Sequence, residues 1–311
     1  MNILMYHFVS SENDSKLFSG MKSVKVETFE KQIIKLKRKG TPLSSNDISS
    51  AALNRDYPSD DCFYLTFDDG YKQHFTNVYP IIKDYNLEAS FFVPTMAIES
   101  RKCPNIEKQK LLQYNLFENY NLFIENFCNQ VRKIDKFCNN GFFYPDRENI
   151  KKCINYLKQF TFYSDQERYF RFIRNEYLTI REFSGIIDLM FSKFFKTDNE
   201  FLEQYYLSEK DLTIMSKNKM IIGGHTYSHP FLNKLSSKKI GIEVERNVSY
   251  LSSIINKKIS SFAYPFGAFN EDVIRCMKNN NFDYAFDTRT KGDNSKYNIR
   301  RNDVKNYFTT D

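Results

Sequence analysis

This chain lacks several features that mark particular protein classes. Its 311 residues contain no tryptophan, and none of the six cysteines forms a Cys-x-x-Cys pair, so no cysteine-based zinc site is expected. The cysteines are predicted to be free thiols, as in a reducing compartment. No apolar run reaches the ~18 residues that a membrane-spanning helix needs. The N-terminus has no recognisable secretory leader, and we therefore expect a cytoplasmic protein.

The charge of the chain indicates no particular macromolecular partner. There are 45 basic and 38 acidic residues, a net charge of +7. Clusters such as Lys35, Lys37, Arg38 and Lys39 are typical of a solvated helix face. Because no basic stripe alternates with glycine or aromatic residues, no nucleic-acid binding is predicted. The sequence does not indicate an oligomeric state.

Strand and helix patterns alternate in the first and last thirds of the chain. Strands are predicted at 2–9, 62–67, 89–95, 282–286 and 298–304. A strand running into a loop is predicted at 220–225, and a strand and turn at 260–267. Helices are predicted at 27–39, 71–86, 236–256 and 270–280, with Pro80 kinking or breaking the second. This alternation predicts a parallel α/β architecture.

The segment 96–208 interrupts this pattern. It holds 24 of the 51 aromatic residues of the chain, and helices are predicted at 129–138 and 186–195. We interpret it as a largely helical insertion with its own small core, within a single catalytic domain that covers residues 1–311. Its aromatic residues could serve packing, which is the simpler interpretation, or form a lid or substrate platform.

Two acidic residues stand together in LTFDDGY, at the end of a predicted strand. Strand interiors disfavour Asp, so Asp68 and Asp69 require either a turn or a nearby cation. GGHTYSHP places His225 and His229 four residues apart, at a spacing that lets two rings share one ion. These are two of only four histidines in the chain.

Each histidine alone could be a hydrogen-bonded, partly buried ring. Together with Asp68 and Asp69, and at the C-terminal ends of predicted parallel strands, they favour a metal site. Two imidazoles and one carboxylate would leave open positions for water and substrate, which is typical of a catalytic metal. One acid could then bind the ion while the other remains free as a base.

TFDDG, HTYSH and YPFG in this order resemble the polysaccharide deacetylases, carbohydrate esterase family 4, over residues 1–95 and 209–308. The resemblance implies a distorted (β/α)7 barrel that removes N-acetyl groups from amino sugars. It makes Asp68 the general base and Asp69, His225 and His229 the ligands of a divalent metal. Zinc is the expected ion, although cobalt, nickel or iron occur in the family.

Two positions depart from the common family pattern. Ala263 stands where many members carry an arginine that orients the base, and no histidine follows His229. LMYHFV and NIRRNDV resemble a circularly permuted branch of exopolysaccharide deacetylases. That resemblance makes His7 the general acid, although a core histidine is the alternative, and it makes Arg301, in preference to Arg300, the partner of the base.

Remaining expectations concern the substrate. The turn containing Tyr264, Pro265 and Phe266 is predicted to line the pocket, with the two aromatic rings facing either a sugar or the core. Asp287 could hydrogen-bond the acid, and His74 is expected to be structural. The predicted substrate is an N-acylated amino sugar in a glycan, glycolipid or sugar intermediate, with membrane association if it is lipid-linked. A non-catalytic glycan-binding protein and a deformylase or other deacylase are the alternatives.

Overall fold

The computed structural model describes residues 1–12, 14, 23–117, 119–134, 155–158, 163–195, 197–288 and 294–308. The chain separates into two compact units. One is built from Met1–Asn13, Lys22–Pro104 and Phe201–Asp311, and the other mainly from Asn105–Glu200. The predicted single catalytic domain with an insertion at 96–208 stays a prediction.

A curled parallel sheet organises the first unit. In the described part of the chain, the sheet has eight strands: β1 (Asn2–Tyr6), β4 (Thr41–Pro42), β5 (Cys62–Phe67), β6 (Ala89–Val93), β7 (Ile221–Gly224), β8 (Ser261–Ala263), β9 (Tyr284–Phe286) and β10 (Asn302–Asp303). Their order is β10-β1-β5-β6-β7-β8-β9, with β4 paired to β5. Strands β2 (Val9–Ser10) and β3 (Val24–Lys25) pair separately. A parallel bridge from Ile299 to Phe286 links the segment before β10 to β9.

Helices follow most strands, as the alternating pattern predicts. They are α1 (Val26–Lys39), α2 (Ser45–Asn54), α3 (Tyr79–Asp84), α4 (Met96–Glu99), α5 (Asn105–Leu111), α6 (Tyr120–Val131), α7 (Asp165–Phe172), α8 (Ile180–Phe191), α9 (Asn199–Tyr205), α10 (Glu209–Lys217), α11 (Ser237–Ile255), α12 (Glu271–Asn279) and α13 (Val304–Tyr307). The predicted helix at 27–39 is confirmed, with Phe29, Ile33 and Leu36 on its buried face. None of the helices in the described ranges has the length and apolar character needed to span a bilayer.

Both faces of the sheet are buried, which explains why the strands read as nearly continuous apolar runs. Along β5, Leu65 and Phe67 pack in the larger core on one face. Tyr64 points the other way, into a smaller cluster that also contains Ile3 and Phe286. This alternation follows from the two-residue period of a strand.

The predicted helix at 71–86 is irregular rather than broken, because the backbone keeps helical angles where the π-helical turn passes into the α-helix. A π-helical turn spans His74–Val78, and α3 then begins at Tyr79 with Pro80 in its first turn. Proline fits there because the first amides of a helix have no partner within it. The wide turn places the side chains of residues 74–78 differently from those of a regular helix.

The second unit is helical over its described residues. The rings of Phe123 and Phe127 are fully buried and both contact Phe170, with centroids 5.2 Å and 4.9 Å away. These aromatic residues therefore form a packed core. The predicted helix at 186–195 corresponds to α8, whereas residues 135–138 of the helix predicted at 129–138 lie outside the described residues.

Candidate active site

Polar side chains gather where the parallel strands end. His7 follows β1, Asp68 and Asp69 follow β5, and His225 follows β7. Since the C-terminal ends of parallel strands meet at one edge of a sheet, distant parts of the sequence come together there. The cluster lies within the first unit.

The Asp-Asp-Gly turn sends the two carboxylates in different directions. The amide of Asp68 donates to Tyr6 O at 3.0 Å and so continues the strand pairing by one residue. Asp69 then adopts φ 77° and Gly70 φ 65°, both left-handed. A Cβ atom on Gly70 would lie 2.9 Å from Val93 Cγ1, so glycine is needed for space as well as for conformation.

The side chains of Asp69, His225 and His229 form a group of three potential metal ligands, all buried. His225 Nε2 lies 3.1 Å from His229 Nε2, and Asp69 Oδ1 lies 3.4 Å and 3.1 Å from these two nitrogens. Ligand bonds of about 2.0–2.1 Å to one zinc-like ion would separate the ligand atoms by about 3.0–3.4 Å. The three donors therefore fit a single divalent ion.

Outer contacts orient these ligands. His225 Nδ1 lies 2.7 Å from Ala263 O, a bond in which the ring donates and which leaves Nε2 available as a ligand atom. The amide of His225 donates to Asn247 Oδ1 at 3.0 Å. Tyr71 donates its hydroxyl hydrogen to Asp69 Oδ2 at 2.9 Å, which leaves Oδ1 facing the histidines.

The loop that carries the histidines is strained and tightly held. Thr226 has φ 65° and His229 φ 59°; left-handed values are uncommon for residues other than glycine, and they are strained for a β-branched residue such as Thr226. Such residues persist only where surrounding contacts impose them. Here Glu243 of α11 accepts bonds from the amide and hydroxyl of Ser228 at 2.8 Å and 2.6 Å.

Asp68 is paired with a buried arginine. Arg301 donates from Nη1 to Asp68 Oδ1 at 2.7 Å and from Nη2 to Oδ2 at 2.6 Å, and both side chains are almost fully buried. Burial alone would raise the pKa of Asp68, but the Arg301 guanidinium, helped by His225, holds this pKa below its ordinary value. Asp68 is therefore a carboxylate at neutral pH. Arg300, by contrast, is exposed.

His7 lies on the exposed edge of the site. Its side chain is exposed, so the alternative that His7 is a core histidine is wrong. His7 and Asp68 directly follow the paired residues Tyr6 and Phe67, so they stand at adjacent strand ends. Asp287 is buried at the end of β9, where its Oδ1 accepts from the amide of Thr288.

The predicted substrate turn divides between core and surface. Tyr264 is fully buried and donates to Tyr297 O at 2.9 Å, and Pro265 is also buried, so neither side chain faces solvent. Phe266 is 39% exposed, with φ 59°. Its ring stacks on Phe231 at a centroid distance of 4.1 Å and meets the His229 ring edge-on at 4.7 Å.

Sequence reasoning did not find Tyr71, Glu243 or Asn247. A signal existed for Asn247, which is fully buried on the face of α11 that also carries Val244 and Leu251. An amide on an otherwise apolar helix face needs hydrogen-bond partners, and here it has three: it accepts from His225 and donates to Val93 O at 2.9 Å and to Thr95 Oγ1 at 3.3 Å.

Because of His74, the free energy of unfolding is expected to fall in acid. Burial, only partly offset by a bond to His7 O and by Asp69, lowers its pKa from 6.5 to about 4. Between pH 6.5 and pH 4, the imidazole of residue 74 is protonated in the unfolded chain but stays neutral in the folded chain. Protonation therefore favours the unfolded state, so part of the stability that the protein has above pH 6.5 is lost as the pH falls toward 4. At about 1.4 kcal/mol per pKa unit, the loss in free energy of unfolding is ~3 kcal/mol.

Urea unfolding at pH 7 and pH 4.5 measures this effect. The fall in free energy of unfolding between these pH values is expected to be smaller in His74→Gln than in the wild type. An equal fall in both proteins would assign the acid sensitivity to other groups.

Comparisons with known proteins agree with this architecture. A family model described as polysaccharide deacetylase matches residues 55–115 and 190–285. The Bacillus subtilis (strain 168) protein YxkH, itself described only provisionally as a polysaccharide deacetylase, is 34% identical over 92 residues, 29% of this chain and 30% of that protein. The match thus spans less than a third of this curated relative.

Two solved structures resemble nearly the whole chain. The deacetylase PplD from Streptococcus pyogenes, in complex with acetate, has a TM-score of 0.58 at 17% identity and covers 98% of this chain and 92% of its own. IcaB from Ammonifex degensii has a TM-score of 0.57 at 14% identity, covering 97% and 91%. At these identities the likeness establishes the fold alone, and the predicted fold class is confirmed.

Proposed function

This chain belongs to the polysaccharide deacetylase family, and from that premise we propose that it is a metal-dependent hydrolase that removes an N-acetyl group from an amino sugar. One observation carries the proposal. Two consecutive carboxylates have separate partners: Asp69 joins the two histidines, and Asp68 is held by Arg301. A buried ligand set beside a buried, charged base is what amide hydrolysis requires.

Asp69, His225 and His229 would hold the divalent ion, for which we propose zinc because two imidazoles and one carboxylate suit it. When bound, such an ion polarises a carbonyl and lowers the pKa of water. The buried walls around these residues limit access of bulk water. Tyr71 and Ala263 keep the ligand atoms oriented through the hydrogen bonds described above.

Asp68 is proposed as the general base. Arg301 keeps it ionised and fixes the plane of the carboxylate through two parallel hydrogen bonds. Each carboxylate oxygen retains a lone pair, so Asp68 can accept the proton of the attacking water. Arg301 therefore acts by positioning the base, and it contacts Asp68 rather than the substrate.

His7 is proposed as the general acid, which protonates the leaving amine nitrogen. Its exposure at the end of β1 gives a substrate access to the ring. Strand β1, which precedes His7, lies between β5 and β10 in the sheet. A strand in this position can come from either end of the chain, because its place in the sheet does not depend on its place in the sequence. Membership of the circularly permuted branch stays a prediction.

The amide of Phe266 is proposed as the hydrogen-bond donor to the developing oxyanion. In the turn from Tyr264 to Gly267, the amide of Tyr264 donates to Phe286 O and that of Gly267 to Tyr264 O. Pro265 has no amide hydrogen. Phe266 thus carries the remaining N–H of this turn, and its left-handed backbone sets the direction of that N–H.

We also propose that the exposed face of Phe266 stacks against the sugar ring. Phe266→Ala is expected to raise KM for an amino-sugar substrate by about 3- to 10-fold with little change in kcat, because an aromatic contact of this kind contributes ~0.5–1.5 kcal/mol. Steady-state kinetics tests this. Phe194→Ala removes a phenylalanine of similar exposure, 40% against 39%, and should leave KM unchanged. A fall in kcat alone would instead point to the backbone of residue 266.

A cytoplasmic location is part of the proposal. Cys62, Cys128 and Cys276 are free thiols, and Cys128 is buried. Unpaired cysteines are typical of a reducing compartment. In that compartment the enzyme would meet N-acetylated sugar intermediates, including lipid-linked ones, rather than finished extracellular polymers.

Acetate release from N-acetylglucosamine and its oligomers, in the presence of zinc, tests the function. The wild type should release acetate, and Asp68→Asn should lower the rate by about 100- to 10,000-fold while the protein still binds metal. Formate release from N-formyl analogues, measured in parallel, identifies a deformylase. Binding of the oligomers with no release of either acid would favour a glycan-binding protein.

A further inference from the structure

We propose that His74 is a positioning residue: its imidazole donates a hydrogen bond to the main-chain carbonyl of His7 and so fixes where the His7 side chain stands. The inference rests on the proposed function, in which His7 protonates the leaving group. It assigns a role in the reaction to the one histidine that is neither a metal ligand nor an acid.

The contact is short, and its donor side chain is buried. His74 Nε2 lies 2.6 Å from His7 O, and the His74 side chain has no exposed surface. Rings of Phe67, Tyr71 and Phe91 surround it at centroid distances of 5.6, 5.8 and 5.7 Å. Packing on this scale leaves the imidazole little freedom to turn away from the carbonyl.

The protonation state of the His74 ring makes it a hydrogen-bond donor throughout the physiological pH range. Because a carbonyl oxygen only accepts, Nε2 must carry the hydrogen. His74 Nδ1 is buried without a hydrogen-bond partner, as expected of the bare nitrogen in that tautomer. The pKa, lowered to about 4 mainly by burial, keeps the ring neutral at physiological pH, so the donor does not change.

His7 needs such a support because it lies between two strands. Strand β1 ends at Tyr6 and β2 begins at Val9, so the His7 carbonyl is outside any strand ladder. In the described part of the chain, the bond that reaches this carbonyl comes from His74. Without it, a main-chain group at the base of the proposed acid would be free to shift.

The π-helical turn His74–Val78 supplies a second support of the same kind. Asn77 Nδ2 donates to Val9 O at 2.9 Å, so two side chains of one turn hold the carbonyls of residues 7 and 9. Turns of this type occur frequently at functional sites. Only His74, however, bonds to the residue proposed as the acid, and Asn77 therefore offers a matched control.

The experiment compares two substrates in the full-length zinc protein. An N-acetylated amino sugar has an amine leaving group that needs a proton, whereas 4-nitrophenyl acetate has a leaving group that does not. His74→Phe, which keeps an aromatic ring but removes the donor, should lower kcat for the amide by about 10- to 100-fold, with KM and ester hydrolysis nearly unchanged. His74→Gln, which restores a donor, should recover most of the loss. Asn77→Ala should keep the wild-type ratio of amide to ester activity.

Equal losses on both substrates, no recovery in His74→Gln, or the same pattern in Asn77→Ala would overturn the positioning role. Long-range ¹H–¹⁵N NMR gives a readout independent of activity: His74 should be a neutral Nε2–H tautomer at pH 6–8, and an Nδ1–H tautomer or a charged ring would also overturn it. A wild type that hydrolyses no amide overturns the proposed function and this role with it. An active wild type matched by His74→Phe overturns the role alone.

Discussion

Replacing Asp69, His225 or His229 by alanine is expected to remove the bound metal and amide hydrolysis together. The three ligand atoms lie 3.1–3.4 Å apart, so each supplies one corner of a single site, and two alone would hold the ion weakly. Loss of the several kcal/mol by which an ion stabilises a charged transition state corresponds to a fall in kcat/KM of more than about 1,000-fold. Elemental analysis after zinc loading and dialysis, together with acetate release, measures both effects.

Two further variants separate ligand loss from general damage. His7→Ala should keep a full equivalent of metal while losing amide hydrolysis, because His7 belongs to a different strand end. Asn247→Ala, which removes the partner of the His225 amide, should weaken metal binding by about 10- to 100-fold, as outer contacts of metal ligands commonly do. Full metal content in His225→Ala or Asp69→Ala would contradict the assignment of these ligands.

The grouping of these side chains could be predicted from sequence because two of only four histidines are closely spaced and the acids directly follow a strand. CFYLTF predicts β5 from its apolar run, and Asp68, Asp69, His225 and His229 follow strand ends that a parallel sheet must bring together. The roles assigned to them rest on the family resemblance and stay predictions. The left-handed backbone at Asp69 explains why a pair of acids can follow an apolar strand, a question that the sequence alone left open.

Side-chain direction in irregular segments could not be predicted in this way. Tyr264 and Phe266 are two residues apart in a turn, and a turn has no regular period from which the direction of each ring could be predicted. In the structure Tyr264 is buried and Phe266 is exposed. The π-helical turn at His74 was also missed. The spacing of hydrophobic residues identifies a regular α-helix because inward-facing side chains recur with its period. A π-helical turn is wider, so different side chains point inward and the spacing no longer identifies them.

Contacts between distant segments follow from no local pattern. Strand alternation turns one of Arg300 and Arg301 inward and the other outward without stating which, so the prediction of Arg301 as the partner of the base came from the family resemblance. Burial decides between them: Arg301 is 1% exposed and crosses to Asp68, 233 residues earlier in the chain. That pairing makes the loss of Arg301 costly to stability as well as to activity.

Arg301→Met is expected to lower the free energy of unfolding by about 3–5 kcal/mol, because it leaves the Asp68 carboxylate buried without its charge partner. Asp68 would also lose both hydrogen bonds that fix its orientation, and amide hydrolysis should fall by at least about 100-fold. Arg301→Lys keeps the charge but not the paired donors, so it should recover part of the stability and little of the activity.

The double variant Asp68→Leu/Arg301→Met separates structural from catalytic contributions. Replacing both charged partners by apolar side chains removes the unpaired charge, so its free energy of unfolding should lie closer to that of the wild type than that of Arg301→Met does. Its hydrolytic activity should stay absent because no base remains, although the separate ligand set should still bind zinc. Strictly additive stability losses in the double variant would mean that Asp68 and Arg301 do not interact as a buried pair, and the positioning of the base would then need another source.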